Sequence, residues 1–193
     1  AREGDYFIQK LSLGVCISDD FMNRCMNMDL KANEILGRIQ KKRDETGYPY
    51  IFFSDTVNND KPAHYKDYTI LASNLCSEIC QPSTEDESFV CCLMSMNLAT
   101  IGEWFDTDAV EIALVMMDAV MEDYLNKIKD DPLMRTSYNS AKKWRAVGIG
   151  TLGYHTALQK LGYPFESEQA RRFNTFAHKT IWERLEKRTK ELA

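Results

Sequence analysis

Residues 73–83 spell SNLCSEICQPS and place an amide, a thiol and a carboxylate at alternate positions, namely Asn74, Cys76 and Glu78. In an extended segment, residues two apart point to the same side, so these three side chains would share one patch. In a helix they would point in different directions. Pro82 disfavours helix in the residue before it and removes a backbone donor. The stretch therefore predicts an extended segment or rigid loop on which the three groups converge.

The residue types in this stretch indicate the kind of chemistry that it could perform. Asparagine can donate and accept hydrogen bonds, and glutamate can remove a proton when its surroundings raise its pKa. Thiolate catalysis needs a nearby cation or histidine to lower the cysteine pKa, and SNLCSEICQPS contains neither. A carboxylate two residues from Cys76 opposes thiolate formation. The pattern favours one-electron sulfur chemistry over nucleophilic attack.

The flanking sequence predicts strands that alternate with helices, which is typical of an α/β fold with parallel strands. Strands are predicted in DYFIQKLSLGVCIS (residues 5–18), YPYIFFSD (48–55) and FVCCLMSMNLATIG (89–102), with a polar loop at residues 57–68. Helices are predicted over residues 28–45, ending at Gly47, and then over a long segment that opens near Asp106 or Asp108, over 138–161 and over 167–192. The apolar stripe of the first helix is Leu30, Ile35, Leu36 and Ile39; that of the long helix is Val110, Ala113, Leu114, Met117, Met121, Tyr124 and Ile128.

Composition narrows the classes of function. The chain has 193 residues, 44% of them apolar, and a formal net charge of -5, which fits one soluble globular segment and argues against broad nucleic-acid binding. No apolar run approaches the length of a membrane span, and no signal peptide opens the chain, so we expect a cytoplasmic setting without membrane contact. Both ends resemble cuts through a longer polypeptide, so residues 1–193 are interpreted as one partial domain.

Six cysteines do not predict a disulfide scaffold or a zinc site. The chain is too long and too rich in core residues for a secreted disulfide framework, and it contains no CxxC pair. We expect Cys16, Cys25 and Cys80 to be small buried apolar residues. Other thiols could have a redox or catalytic role.

GIGTLG, residues 148–153, fits the glycine fingerprint of dinucleotide-binding folds but lacks its context. That fingerprint follows a strand, whereas AKKWRAV before it is predicted to be helical. We therefore expect these glycines to lie in a helix and to let another backbone approach closely.

Five segments, taken in order, resemble the catalytic large subunit of class I ribonucleotide reductase. They are LSLGVCISDDFM, TGYPYIFFSDTVN, SNLCSEI, CCLMSMNL and RAVGIGTLG. The resemblance implies that the chain is about the central third of a ten-stranded α/β barrel. It also implies that Cys76 lies on a finger loop at the barrel centre.

The same resemblance implies a role for each site residue. Cys76 would become the thiyl radical that takes the 3′ hydrogen of a ribonucleotide, Glu78 would be the base for the 3′ hydroxyl, and Asn74 would orient the sugar. The resemblance also implies that the substrates are diphosphates. Cys91 would be the downstream member of the reducing cysteine pair, with Cys92 the next choice. A metal-containing small subunit would supply the radical, thioredoxin or glutaredoxin would supply electrons, and this chain would hold no metal or cofactor.

The chain also departs from the family pattern. It has no match for the upstream cysteine that would pair with Cys91, because the surroundings of Cys16 match a later family segment. The rest of the large subunit is thus an implied partner. Two other hypotheses stay open: a non-catalytic interaction module derived from the same barrel, and a two-electron thiol oxidoreductase that uses Cys76 with Cys80.

Overall fold

The structure, a computed structural model, describes residues 11–193, so residues 5–10 of the first predicted strand lie outside the described residues. The chain divides into two compact units, with the boundary between Phe89 and Val90. Over residues 11–193, each unit contains one two-stranded parallel sheet together with helices, which confirms the α/β prediction. Residues 11–193 form no closed barrel, and the ten-strand count stays a prediction. None of the described helices is long and apolar enough to cross a lipid bilayer.

The first unit is built around two short strands that the sequence predicted. Its elements are β1 (Gly14–Ile17), α1 (Asp19–Met26), α2 (Leu30–Thr46), β2 (Tyr50–Phe53) and α3 (Ser54–Asn59). β1 and β2 pair in parallel, with Cys16 opposite Phe52. Asp29 caps α2 by accepting a hydrogen bond from the Ala32 amide at 3.0 Å, and α2 ends before Gly47 as predicted.

Two predictions for this unit were wrong. The apolar stripe of α2 does not become a buried face, because Leu30 is 87% exposed and Ala32 is the buried residue of the helix. The polar loop is partly helical, since α3 begins directly after β2 and a short 3₁₀ turn spans Ala63–Tyr65. Asp55 in the first turn of α3 favours that helix through its interaction with the helix dipole, a signal that the polar composition concealed.

A larger fraction of the described residues is helical in the second unit than in the first. Its elements are β3 (Leu93–Asn97), α4 (Ile101–Trp104), α5 (Ala109–Ile128), α6 (Arg135–Trp144), β4 (Gly148–Leu152), α7 (Tyr154–Leu161) and α8 (Glu168–Leu192). The predicted stripe of α5 is confirmed, and its buried members are Val110, Ala113, Leu114, Met117 and Met121. Asp108 occupies the N-cap of α5 but makes no side-chain cap bond; the Thr107 hydroxyl oxygen accepts from the Ala109 amide at 3.2 Å.

GIGTLG is not helical, contrary to the prediction. Residues 148–152 form β4, parallel to β3 with Leu93 opposite Gly148, and the predicted helix is divided into α6 and α7. α6 ends because Arg145 adopts a left-handed backbone with φ of 43°. At Gly148 the close neighbour is a side chain, since a Cβ atom there would lie 2.5 Å from Leu93 Cδ2. The expected approach of another backbone occurs at Gly153, where a Cβ atom would lie 3.1 Å from the Ala99 amide nitrogen. Gly148 and Gly150 lie within the strand and Gly153 alone follows it, whereas the dinucleotide fingerprint has its glycines after the strand, so that fingerprint is still excluded.

Candidate active site

The NLCSE segment forms a hydrogen-bonded turn and not an extended strand. The Ser77 amide donates to the Asn74 carbonyl at 3.1 Å, and Ser77 has a φ of 66°. The rigid-loop alternative is therefore correct, and the strand-like alternation of Asn74, Cys76 and Glu78 was wrong. Pro82 constrains the residue before it and cannot impose an extended backbone five residues earlier. Asparagine favours turns because its side chain can bond to backbone amides that follow it.

The turn nevertheless brings the amide and the acid together. Asn74 Nδ2 donates to Glu78 Oε1 at 2.7 Å, while Asn74 Oδ1 accepts from the backbone amides of Glu78 and Ile79, both at 3.1 Å. One asparagine side chain thus binds both the carboxylate and the backbone that carries it. A hydrogen bond to a carboxylate is stronger than one between neutral groups, so the pair is held in one geometry.

Ser73 closes the base of this turn. Its hydroxyl donates to the Ile79 carbonyl at 2.7 Å, and Ile79 is buried. The bond joins the residue before Asn74 to the residue after Glu78, so it limits how far the turn can open. Sequence reasoning missed Ser73, although a hydroxyl beside an Asn-containing turn is a known local signal.

Cys76 lies at the exposed part of this turn, between the two residues whose side chains are paired. A cavity of about 340 Å³ is lined by Leu75 and Ser77, the neighbours of Cys76; of the three predicted residues Asn74 lines that cavity, and Cys76 and Glu78 do not. The other lining residues are Ser12, Gly14, Val15, Cys16, Tyr50, Phe52, Ala72 and Ser73. A larger cavity of about 640 Å³ runs along α2 beside Ile35 and Arg38 and contains none of the predicted site residues.

Two of the other three cysteines of this unit differ from the expectation of buried thiols. Cys25 is buried, but Cys16 and Cys80 are exposed. Cys16 lines the cavity, and its Sγ donates to the Leu71 carbonyl at 3.5 Å. Although Cys80 is exposed as a residue, partial burial of its thiol raises its pKa above the ordinary value. All six cysteines are free thiols in the structure.

The two adjacent cysteines of the second unit have different surroundings. Cys91 is exposed, whereas Cys92 is half-buried and packs against a cluster formed by Met121, Leu125 and Ala141. Burial also raises the pKa of the Cys92 thiol. Of the two, Cys91 is therefore the more accessible to a reaction partner. Over the described range of the chain, no group of three or more His, Cys, Asp or Glu is arranged to hold a metal ion.

Comparisons with known proteins identify similar sequences and structures. The family model of the ribonucleotide reductase barrel domain matches residues 23–193. A Frog virus 3 (isolate Goorha) protein that bears the name of a ribonucleoside-diphosphate reductase large subunit is 36% identical over 98% of this chain and 37% of its own length. The ribonucleoside-diphosphate reductase large subunit of Invertebrate iridescent virus 3 is 36% identical over 84% of this chain and 26% of its own.

A solved structure gives the same result. The class Id ribonucleotide reductase alpha subunit of Actinobacillus ureae matches 100% of this chain with a TM-score of 0.93 and 40% sequence identity. The match covers 37% of that subunit. This chain therefore spans about a third of the length of the proteins that it resembles.

Proposed function

This chain belongs to the ribonucleotide reductase barrel-domain family, and on that premise we propose that it supplies the radical-bearing part of a reductase active site within a larger protein. The reaction is the reduction of ribonucleotides, diphosphates in keeping with the names of the relatives, to 2′-deoxyribonucleotides for DNA synthesis. The observation that carries this proposal is the NLCSE turn, in which Asn74 and Glu78 are hydrogen-bonded at 2.7 Å on either side of Cys76.

In this proposal Cys76 carries a thiyl radical that removes the hydrogen from C3′ of the ribose. Glu78 accepts the proton of the 3′ hydroxyl, and Asn74 orients the sugar by a hydrogen bond. The 2′ hydroxyl leaves as water. Hydrogen abstraction needs near-contact geometry, and a turn restrained by the bonds of Ser73 and Asn74 supports such positioning.

Two electrons must reach the substrate, and we assign their source on this chain to Cys91. Its accessibility favours it over Cys92, which packs against apolar side chains. The second cysteine of the reducing pair belongs to the remainder of the large subunit.

The partners follow from the chemistry that these residues lack. We propose that a metal-containing small subunit supplies the radical and that thioredoxin or glutaredoxin re-reduces the cysteine pair, in the cytoplasm. No metal or organic cofactor is assigned to this chain. The residues outside it that complete the large subunit are its first partners.

The two-electron alternative, a thiol oxidoreductase that uses Cys76 with Cys80, is less well supported. Thiol–disulfide exchange proceeds through a thiolate, and the raised pKa of Cys80 reduces the thiolate fraction at neutral pH. The experiment below tests the non-catalytic alternative, an interaction module derived from the same barrel.

The test replaces Cys76 by serine in the full-length large subunit that carries this chain, assayed with its small subunit for conversion of CDP to dCDP. We expect Cys76→Ser to lower turnover by about a thousandfold or more, since the reacting atom itself is removed. Cys80→Ser is the matched control and should keep turnover within about threefold. Full turnover by Cys76→Ser would refute the catalytic proposal, and a Cys76–Cys80 disulfide found by mass spectrometry after turnover would favour the oxidoreductase.

A further inference from the structure

The segment that leads into the NLCSE turn is held by side chains and not by a sheet. Residues 69–74 have no regular secondary structure, and the strands described in this unit, β1 and β2, pair with each other. Backbone groups that are buried without a partner are costly, so such a segment needs partners from elsewhere. Ile70, which is 1% exposed, is its most deeply buried residue.

Asn58 supplies those partners for Ile70. Asn58 Oδ1 accepts from the Ile70 amide at 2.9 Å, and Asn58 Nδ2 donates to the Ile70 carbonyl at 2.9 Å. The same Nδ2 donates to the Ser54 carbonyl at 2.8 Å, one turn earlier in α3. Both hydrogens of the amide nitrogen and the carbonyl oxygen are therefore in use, and the side chain has a single orientation.

This arrangement links the sheet to the turn. α3 follows β2 without an intervening loop, so the position of Asn58 is set by the sheet whose face lines the cavity. Beyond Ile70, the Leu71 carbonyl accepts from Cys16 Sγ, and Ser73 bonds across the turn to Ile79. Residues 70, 71 and 73 are thus restrained in succession up to Asn74. Of the three side chains that make these bonds, Asn58 is the one that bonds both backbone groups of a single residue.

We propose that Asn58 is a positioning residue for the NLCSE turn, which it orients through the backbone of Ile70. The proposal rests on the proposed function, because it assigns Asn58 a purpose in the placement of Cys76 and its neighbours. No other side chain of similar size satisfies this geometry: aspartate keeps the acceptor for the Ile70 amide but places carboxylate oxygens against the carbonyls of Ile70 and Ser54.

The experiment compares Asn58→Ala and Asn58→Asp in the full-length large subunit, with Asn59→Ala as the matched control. Asn59 is the same residue type in the same helix and is exposed. The first measurement is hydrogen exchange at the amides of Glu78 and Ile79, which bond to Asn74 Oδ1 and so report on the turn itself.

We expect exchange at those two amides to rise about tenfold in Asn58→Ala while peptides from α2 keep their protection, because the effect is local. Asn59→Ala should exchange like the unaltered protein. Asn58→Asp should show the same local loss, and it carries the test if Asn58→Ala does not fold. Unchanged exchange at Glu78 and Ile79, with the Ile70 amide deprotected, would overturn the proposal.

The second measurement is steady-state reduction of CDP with the small subunit present. We expect kcat to fall about 10- to 100-fold with KM changed less than about threefold, because a small misplacement of reacting groups impairs the chemical step. A KM effect without a kcat effect would overturn the positioning role. The two hypotheses fail separately: a protein without reductase activity would refute the proposed function, whereas exchange at the turn tests Asn58 without any turnover.

Discussion

Replacement of Gly153 by alanine tests how closely the end of β4 approaches the end of β3. Gly153 begins α7 with a φ of 74°, and an added Cβ would lie 2.5 Å from Asn97 Oδ1 and 3.1 Å from the Ala99 amide nitrogen. Asn97 Oδ1 in turn accepts from that Ala99 amide at 3.0 Å and caps the short helical turn that follows β3. The substitution therefore strains the backbone and displaces a capping side chain.

The expected loss of stability in Gly153→Ala is the sum of a backbone cost and a capping cost. A non-glycine residue in the left-handed region costs about 1–2 kcal/mol. Loss of a capping side chain costs about 1 kcal/mol more. We expect Gly153→Ala to lower the free energy of unfolding by about 2–3 kcal/mol, a large part of the roughly 5–15 kcal/mol of a typical domain.

The matched control lies at the other end of the same helix. Gly162 ends α7 with a φ of 69°, and an added Cβ there would meet nothing within 4 Å. Gly162→Ala should therefore cost the backbone term alone, about 1–2 kcal/mol. Asn97→Ala removes the cap alone, and the double variant Gly153→Ala/Asn97→Ala completes a double-mutant cycle.

The assay is urea denaturation of all four variants, followed by circular dichroism. The capping bond from Asn97 to the Ala99 amide can be lost only once. The double variant should therefore be about 1 kcal/mol more stable than the sum of its single changes predicts. A Gly153→Ala variant no less stable than Gly162→Ala, or strict additivity in the cycle, would refute the close contact between Gly153 and Asn97.

Two further predictions concern charge and thiol placement in the second unit. Hydrogen bonds from Arg184 to Glu111, one of them 2.7 Å between Nε and Oε1, hold the pKa of Glu111 below its ordinary value of 4.5. A lowered folded-state pKa stabilises the protein above the ordinary pKa, and this contribution is lost as pH falls through the folded-state value. Glu111→Gln should therefore lower the free energy of unfolding at pH 7 by about 1 kcal/mol and little at pH 3; an equal loss at both pH values would contradict the assignment. Cys91→Ser in the full-length enzyme should stop multiple turnovers with thioredoxin, whereas Cys92→Ser should keep them and lose about 1 kcal/mol of stability through its packing against Met121 and Leu125. The reverse result would assign the reducing role to Cys92.

The sequence predicted the helices that are specified by interactions among their own residues. α5 keeps an apolar residue at each position that faces the core, and Ser167 caps α8 by accepting from the Ala170 amide at 3.1 Å. These are local interactions between residues three or four apart, so a single sequence contains them. β4 was missed because its strand conformation depends on pairing with β3, about 55 residues earlier in the chain. Helical neighbours on both sides concealed it.

The residue types of the candidate site, a thiol between an amide and an acid, were determined by the sequence alone, and so was the resemblance that led to the family. Only the tertiary structure decided how these groups meet. Asn74 and Glu78 pair across a turn, and Asn58 and Cys16, which bond to the residues before that turn, lie 12 and 55 positions from their partners. Hydrogen bonds over such separations depend on where the backbone folds back on itself, and no local spacing in the chain encodes that.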